Sequence, residues 1–315
     1  MRRYVLRRVA AFIATLFFVS LLIFVVIRVL PGDPALLIMG TEGSPEVAAR
    51  LREAMGLDRP ILAQYATWLG GALRGDFGVS IQYDVPVGRL IVSRLPVTLP
   101  LTLLAALFMV VTALPCGLYA ATRHRRMGDY VTMIVSQVGI AVPAFWSGLL
   151  LILLFSVHLG WLQSGGFAGW SEGPGPALRS LILPAVALGF FQAAVLIRAT
   201  RSAVLDVLRE DYVRTARAKG VAEAAVIGKH TFRNALIPVV TVAGIQLGQL
   251  MAGTIILESV FALPGLGRLA LGAISARDLP VVQGVTLFVA SSIVLINFLV
   301  DLAYVVLDPR IRYDS

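Results

Sequence analysis

Charge is scarce in this chain of 315 residues: Asp, Glu, Lys and Arg together make up 14% of it, where a soluble domain carries about 25%. Cysteine is nearly absent. Cys116 is alone, so no internal disulfide can form, and a single thiol among Leu and Ala reads as a small buried hydrophobe. Histidine is equally sparse, and His124, His158 and His230 are scattered. With no metal-spaced cluster of His or Cys, no metal site is expected; His158 reads as an interfacial residue. There is no Walker A pattern and no nucleophile elbow. Ser136 and Ser147 have no matching histidine within the apolar runs, which argues against a membrane protease. Serines in such runs ordinarily return a hydrogen bond to their own helix or mediate packing. Catalytic residues are therefore expected to be none, and a bound cofactor none. The net charge of +9 does not point to nucleic acid in so apolar a chain; it reflects basic loops beside a membrane.

What the sequence has in excess is apolar side chains, 58% of the total. They gather into runs of about 18–25 residues, the length that crosses a hydrocarbon core of about 30 Å. In lipid the backbone must satisfy its own hydrogen bonds, so the runs should be helices. Six spans are predicted, at 9–30, 96–121, 129–158, 181–200, 237–260 and 281–307, giving an all-α polytopic membrane protein. The first follows a basic start, Met1-Arg2-Arg3-Tyr4-Val5-Leu6-Arg7-Arg8, that is similar to a signal peptide. The apolar run behind it exceeds a signal h-region of about 7–15 residues. It ends in Pro31-Gly32-Asp33-Pro34 without a small-x-small cleavage site, so it reads as an uncleaved span. The third is interrupted by Pro143 and Gly148 and is expected to be partly interfacial.

The basic residues predict orientation. Arg123, Arg125 and Arg126, the group Arg209, Arg214, Arg217, Lys219 and Lys229, and the tail residues Arg310 and Arg312 fall on one side of a six-span chain with the N-terminal arginines. The positive-inside rule places that side, and both termini, in the cytoplasm. Loops 159–180 and 261–280 then lie outside, as does the long segment 31–95. The expected organisation is an N-terminus and first helix at 1–30, an extracytoplasmic loop at 31–95, a core at 96–307 with a cytoplasmic loop at 201–236, and a tail at 308–315. Within 31–95, Ser44-Pro45-Glu46 opens a helix by capping, N1 proline and favourable charge, and Gly56 closes it. A second helix covers 60–73 and stops at Gly75-Asp76-Phe77-Gly78. Both are expected to pack on the mouth of the membrane domain.

The segment 198–238 is the most informative. Val204, Leu208, Tyr212 and Ala216 recur every fourth residue as an apolar stripe on a helix running straight out of the fourth span. Glu210 and Arg214 are placed to pair at i,i+4. Gly220 breaks the helix, sharply if its φ is positive, and a second short helix follows from Ala222. A solvated helix pair is the plain reading; a rigid elbow suited to docking on a partner is the functional one. The candidate coupling surface is Arg214, Thr215, Ala216, Arg217, Ala218, Lys219, Gly220, Val221, Ala222, Glu223, Ala224, Ala225 and Val226. Its small residues allow close approach, and Arg217, Lys219 and Glu223 can fix orientation at the rim. Polar residues inside spans are the candidates for a translocation pathway, namely Gln137, Gln192, Gln246, Gln249 and Glu258, with interhelical packing as the competing reading for each. Gln246 and Gln249 share one helical face, and Glu258 either meets substrate or anchors the 261–267 turn. Arg198, Asn297 and Asp301 are also polar within spans.

The same residues carry a resemblance. Asp211-Tyr212-Val213-Arg214-Thr215-Ala216-Arg217-Ala218-Lys219-Gly220 resembles the EAA loop of binding-protein-dependent ABC import permeases, in the form found in the dipeptide/oligopeptide/nickel branch. His230-Thr231-Phe232-Arg233-Asn234-Ala235-Leu236-Ile237-Pro238 continues it. Arg214 stands at the usual acidic position and Phe232-Arg233 where Leu-Pro is common, departures typical of the peptide branch. Leu30-Pro31-Gly32-Asp33-Pro34, Gly56-Leu57-Asp58-Arg59-Pro60 with Gln64-Tyr65 and Trp68, and Gly75-Asp76-Phe77-Gly78-Val79-Ser80 are similar too. So are Arg94-Leu95-Pro96-Val97-Thr98-Leu99, Glu258-Ser259-Val260-Phe261-Ala262-Leu263-Pro264-Gly265-Leu266-Gly267 and Asp308-Pro309-Arg310. The resemblance spans nearly the whole chain, and the long loop after the first span matches the first-permease type. It implies a type I ABC importer permease fold in a bacterial or archaeal cytoplasmic membrane. It also implies a second homologous permease, two ABC ATPase subunits that bind ATP and Mg, an extracytoplasmic substrate-binding protein, and a di- or oligopeptide substrate. The chain itself is then not an enzyme. Nickel or another small solute is the alternative substrate. A secondary transporter or channel is the alternative class, and it would need inverted repeats and intramembrane charges.

Overall fold

The computed structural model describes residues 2–29, 45–54 and 57–307. Among these the chain is helical, with one isolated antiparallel bridge between Val79 and Pro86. Ser44, Gly56, the 30–34 turn and the 308–310 tail motif lie outside the described residues. The helices are α1 (Arg2–Val29), α2 (Pro45–Ala54), α3 (Ile61–Ala72), α4 (Val87–Thr122), α5 (Met127–Ala141), α6 (Ala144–Leu151), α7 (Pro174–Leu208), α8 (Asp211–Ala218), α9 (Glu223–Ala225), α10 (Arg233–Val260), α11 (Leu266–Ser275) and α12 (Leu279–Leu307). π-helical turns prolong α6 through Ile152–His158 and join α9 to α10 through Val226–Phe232. Among the described residues five helices are long and apolar enough to cross a membrane, and six spans result when the bent pair α5–α6 counts as one.

α7 is the central helix. In its most apolar window 72% of residues are buried, against 17% for α1 and 11% for α12, so α1 and α12 form the periphery. α7 crosses α4 at very short range. A Cβ on Gly117 would lie 2.6 Å from Thr200 Cβ, and one on Gly189 would lie 2.7 Å from the Ala105 carbonyl oxygen. Small residues that let backbones touch are how helices associate without a hydrophobic driving force. At 36 and 35 residues, α4 and α7 are each about 50 Å long at 1.5 Å per residue. Both overrun the spans read from sequence, and α4 begins at Val87, inside the segment read as the 31–95 loop.

The third span is broken where proline dictates. Pro143 has no N–H, and the preceding Val142 is extended at φ −85°, ψ 122°, as a residue before proline should be. α5 and α6 meet there at 106°. Gly148 is not a second break: it lies inside α6, where a Cβ would sit 3.1 Å from the Phe261 ring. Cys116 is exposed, not buried, although Gly117 beside it is buried against α7.

The segments between spans are folded onto the bundle. α3 packs against α1 through Tyr65, whose hydroxyl lies 2.8 Å from Ser20 Oγ and whose ring meets Phe24 and Trp68. Gly166 N–H donates to the Phe261 carbonyl at 2.8 Å, and Trp170 Nε1 to the Pro96 carbonyl at 2.8 Å. Residues 261–280 are not simply a loop; they include α11, whose Leu266, Leu269 and Ala273 are buried. α1 and α12, distant in sequence, are joined by an ion pair of 3.0 Å between Arg8 and Asp301.

Candidate functional site: an elbow on the membrane bundle

α7 ends at Leu208, and Arg209 and Glu210 form a tight turn through bonds to the carbonyls of Asp206 and Val207. Glu210 takes an extended conformation and α8 starts afresh at Asp211. The stripe Val204–Leu208–Tyr212–Ala216 therefore does not run along one helix, because the turn resets the register. Tyr212 is 43% exposed, and its hydroxyl instead accepts from Asn234 Nδ2 at 2.9 Å. The buried face of α8 is Val213 and Ala216, packed with Val226 against Val207 and Leu208. Glu210 does not pair with Arg214; Arg214 bridges Asp211 at 2.6 Å.

Gly220 builds the elbow. Its φ is +75°, which β-carbon-bearing residues rarely adopt. Gly220 N–H donates to the Arg217 carbonyl at 3.0 Å and Val221 N–H to the Ala216 carbonyl at 3.3 Å. These two bonds are the Schellman arrangement that seals a helix C-terminus. The chain reverses and restarts at Glu223, and Arg217 closes the corner with two bonds to Glu223, at 3.1 and 2.7 Å. The hydrogen bond to Glu223 raises the Arg217 guanidinium above its ordinary range, so it stays charged. Of the thirteen candidate coupling residues, Ala216 and Val226 point inward and hold the corner; the other eleven are exposed. The tip presents Ala218, Lys219, Gly220, Val221, Ala222, Ala224 and Ala225, a surface low enough for backbone-to-backbone approach.

An ion-pair cluster near this elbow and a hydrogen-bonded carboxylate at the other end of the bundle tie the segments together, and sequence reasoning missed both. Asp129 at the start of α5 is buried, and it accepts from Arg201 Nε at 2.5 Å, Arg201 Nη2 at 2.7 Å and the Arg125 N–H at 3.0 Å, with His124 Nδ1 at 3.2 Å. It pins the last turns of α7, just before the elbow, to the third span. At the far end of the bundle Asp278 is buried and accepts from Ser80 Oγ at 2.5 Å and from the N–H groups of Ile81 and Gln82 at 3.2 and 3.1 Å. An isolated acidic residue flanking an apolar run was the available signal for each.

The pathway candidates separate. Glu258 is fully buried and accepts from Thr98 Oγ1 at 2.6 Å, Gly267 N–H at 2.7 Å and Arg268 N–H at 3.2 Å. It caps the N-terminus of α11, where a carboxylate meets unpaired N–H groups and the positive end of the helix dipole. Of its two readings, the anchor is the one this geometry supports. Gln137 is exposed and accepts from Arg198 Nη1 at 3.2 Å. Gln246 is buried while Gln249 faces outward, so the two do not share an environment. Gln192 is buried, and its Oε1 has no partner among the described residues.

Five or six apolar spans among the described residues, one of them broken, and a rigid exposed elbow define a polytopic membrane protein. The chain belongs to the family of binding-protein-dependent transport system inner membrane components. That family matches residues 113–313, and its N-terminal region matches residues 1–102. The chain is 46% identical over 314 residues, all of both chains, to a protein of Brucella abortus (strain 2308) described as a peptide transport system permease. It is 44% identical over 313 residues, 99% of this chain and all of the other, to the glutathione transport system permease protein GsiC of Escherichia coli (strain K12). Its fold is similar to a chain of the MetNI methionine ABC transporter solved in inward-facing conformations, with a TM-score of 0.55 at 22% identity, covering 70% of this chain and 96% of that one. The protein is thus a multi-pass inner membrane permease subunit.

Proposed function

We propose that this subunit forms half of the translocation pathway of an ATP-driven importer for di- or oligopeptides. The observation that carries the proposal is the elbow: a sealed, positive-φ corner with a bare tip of small residues, standing on the central helix. A flexible loop would absorb displacement, whereas this corner transmits it. The tip docks in a cleft of an ABC ATPase, of which the complex holds two, each binding ATP and Mg. A second, homologous permease covers the exposed faces of the bundle, including Gln249, and an extracytoplasmic binding protein delivers the peptide. Both termini and the elbow lie in the cytoplasm, as the arginine distribution indicates, and helices α2 and α3 of the 31–95 region shape the outer mouth. ATP switches the spans because it binds one state better than the other. Whole-length similarity to peptide and glutathione permeases supports the substrate class.

Affinity purification in mild detergent followed by reconstitution tests this. ATPase subunits should co-purify, and proteoliposomes should accumulate peptide only with ATP and binding protein. Uptake driven by an ion gradient without an ATPase would instead establish a secondary transporter.

A further inference from the structure

Halfway along the bundle, the break in the third span opens a cavity of about 350 Å³, lined by Ile140, Ala141, Val142, Pro143, Phe191 and Gln192 among others. That volume lies at the low end of the roughly 300–1,000 Å³ of ligand pockets. Gln192 is the one lining residue with a polar side chain. It is 7% exposed and its Oε1 is unpaired. A buried amide oxygen without a partner is destabilising, and such groups call for a use. The break supplies more acceptors. Pro143 has no N–H to return to Gly139, and among the described residues no backbone N–H beyond the break reaches the carbonyls of Gly139, Ile140 or Ala141. These are the orphan carbonyls of a helix C-terminus, at the negative end of its dipole. Phe191 adds an aromatic ring, whose face also favours positive charge. The site therefore holds several acceptors, with the Gln192 Nε2 amide as the side-chain donor beside them.

We propose that Gln192 and the broken end of α5 form a contact point for N–H donors of the transported substrate, a backbone amide or the α-ammonium of a peptide. This rests on the peptide-importer reading. The acceptors of the broken helix end and Gln192 Oε1 outnumber the one side-chain donor, Gln192 Nε2, so an N–H group of the peptide matches this point better than a carboxylate.

The test uses the whole complex in proteoliposomes, with ATPases and binding protein, and a peptide in free-amino and N-acetylated forms. Gln192→Leu keeps the bulk and removes the acceptor. It should lower uptake about tenfold, the worth of one hydrogen bond to a buried group. Loss for the free-amino form alone identifies the ammonium as donor; loss for both forms identifies the amide. Gln192→Glu should restore uptake of the free-amino form. Should Gln192→Leu fail to assemble, Gln192→Cys in a Cys116→Ser background gives a second readout. An ammonium-bearing thiosulfonate should react faster than a sulfonate-bearing one, and peptide should slow it. Wild-type uptake by Gln192→Leu, or equal and unprotected labelling by the two reagents, overturns the proposal. A wild-type complex that takes up neither peptide with ATP refutes the importer reading instead, and the charge preference at position 192 still decides this one.

Discussion

At the scale of single residues, burial decides which polar groups are structural. Glu258 has three donors converging on it from α4 and α11, and Gly265 must lack a side chain because a Cβ there would sit 2.2 Å from the carboxylate carbon. Thr98→Val should cost about 1–2 kcal/mol by removing one of those bonds, read as a lower unfolding temperature in detergent. Combined with Glu258→Ala, its effect should be smaller than in the wild type, since both act on one cluster. Additive losses would show that the two do not interact. Asp129→Asn leaves Arg201 without its counter-charge and should destabilise by about 3 kcal/mol, whereas Arg217→Ala at the exposed corner should cost less than about 1 kcal/mol. Equal losses in a thermal-shift comparison would contradict that ordering.

At the scale of elements, local chemistry was readable and long-range chemistry was not. Pro143 announced the break in the third span, because a missing N–H needs no neighbour to act. Gly220 announced the elbow for the same kind of reason: its φ of +75° is a local property. The apolar stripe through Tyr212 failed because the Arg209–Glu210 turn interrupts the helix, and periodicity assumes continuity. Asp278 and Asp129 went unread because their partners lie up to 198 residues away in the chain. Cys116 was misplaced because composition does not say which side chains of a span the rest of the chain covers. The break makes a distance prediction. Spin labels at positions 127 and 158 should lie about 27 Å apart for two 15-residue arms bent as observed, and about 47 Å apart for one straight helix. The longer distance would remove the cavity beside Gln192.

At the scale of the whole molecule, span number and fold class followed from run lengths, while the pathway did not. A single chain shows half of it, and residues such as Gln249 acquire meaning only against a partner. Topology is the first global prediction: cysteines at positions 45 or 60 should be labelled from outside and those at 125 or 222 from the cytoplasm, and outside labelling at 125 would reverse the orientation. Coupling is the second, and it rests on Gly220. A Cβ there meets no atom within 4 Å, yet φ is positive, so Gly220→Val acts through backbone strain of about 1–3 kcal/mol and through the bulk it adds to the docking tip. The direct measurement is peptide uptake and binding-protein-stimulated ATPase activity of reconstituted Gly220→Val complexes. Docking through the elbow predicts normal membrane insertion and normal substrate affinity of the binding protein, with both uptake and stimulation lost. A variant that inserts and transports at the wild-type rate would show the elbow to be a solvated surface feature.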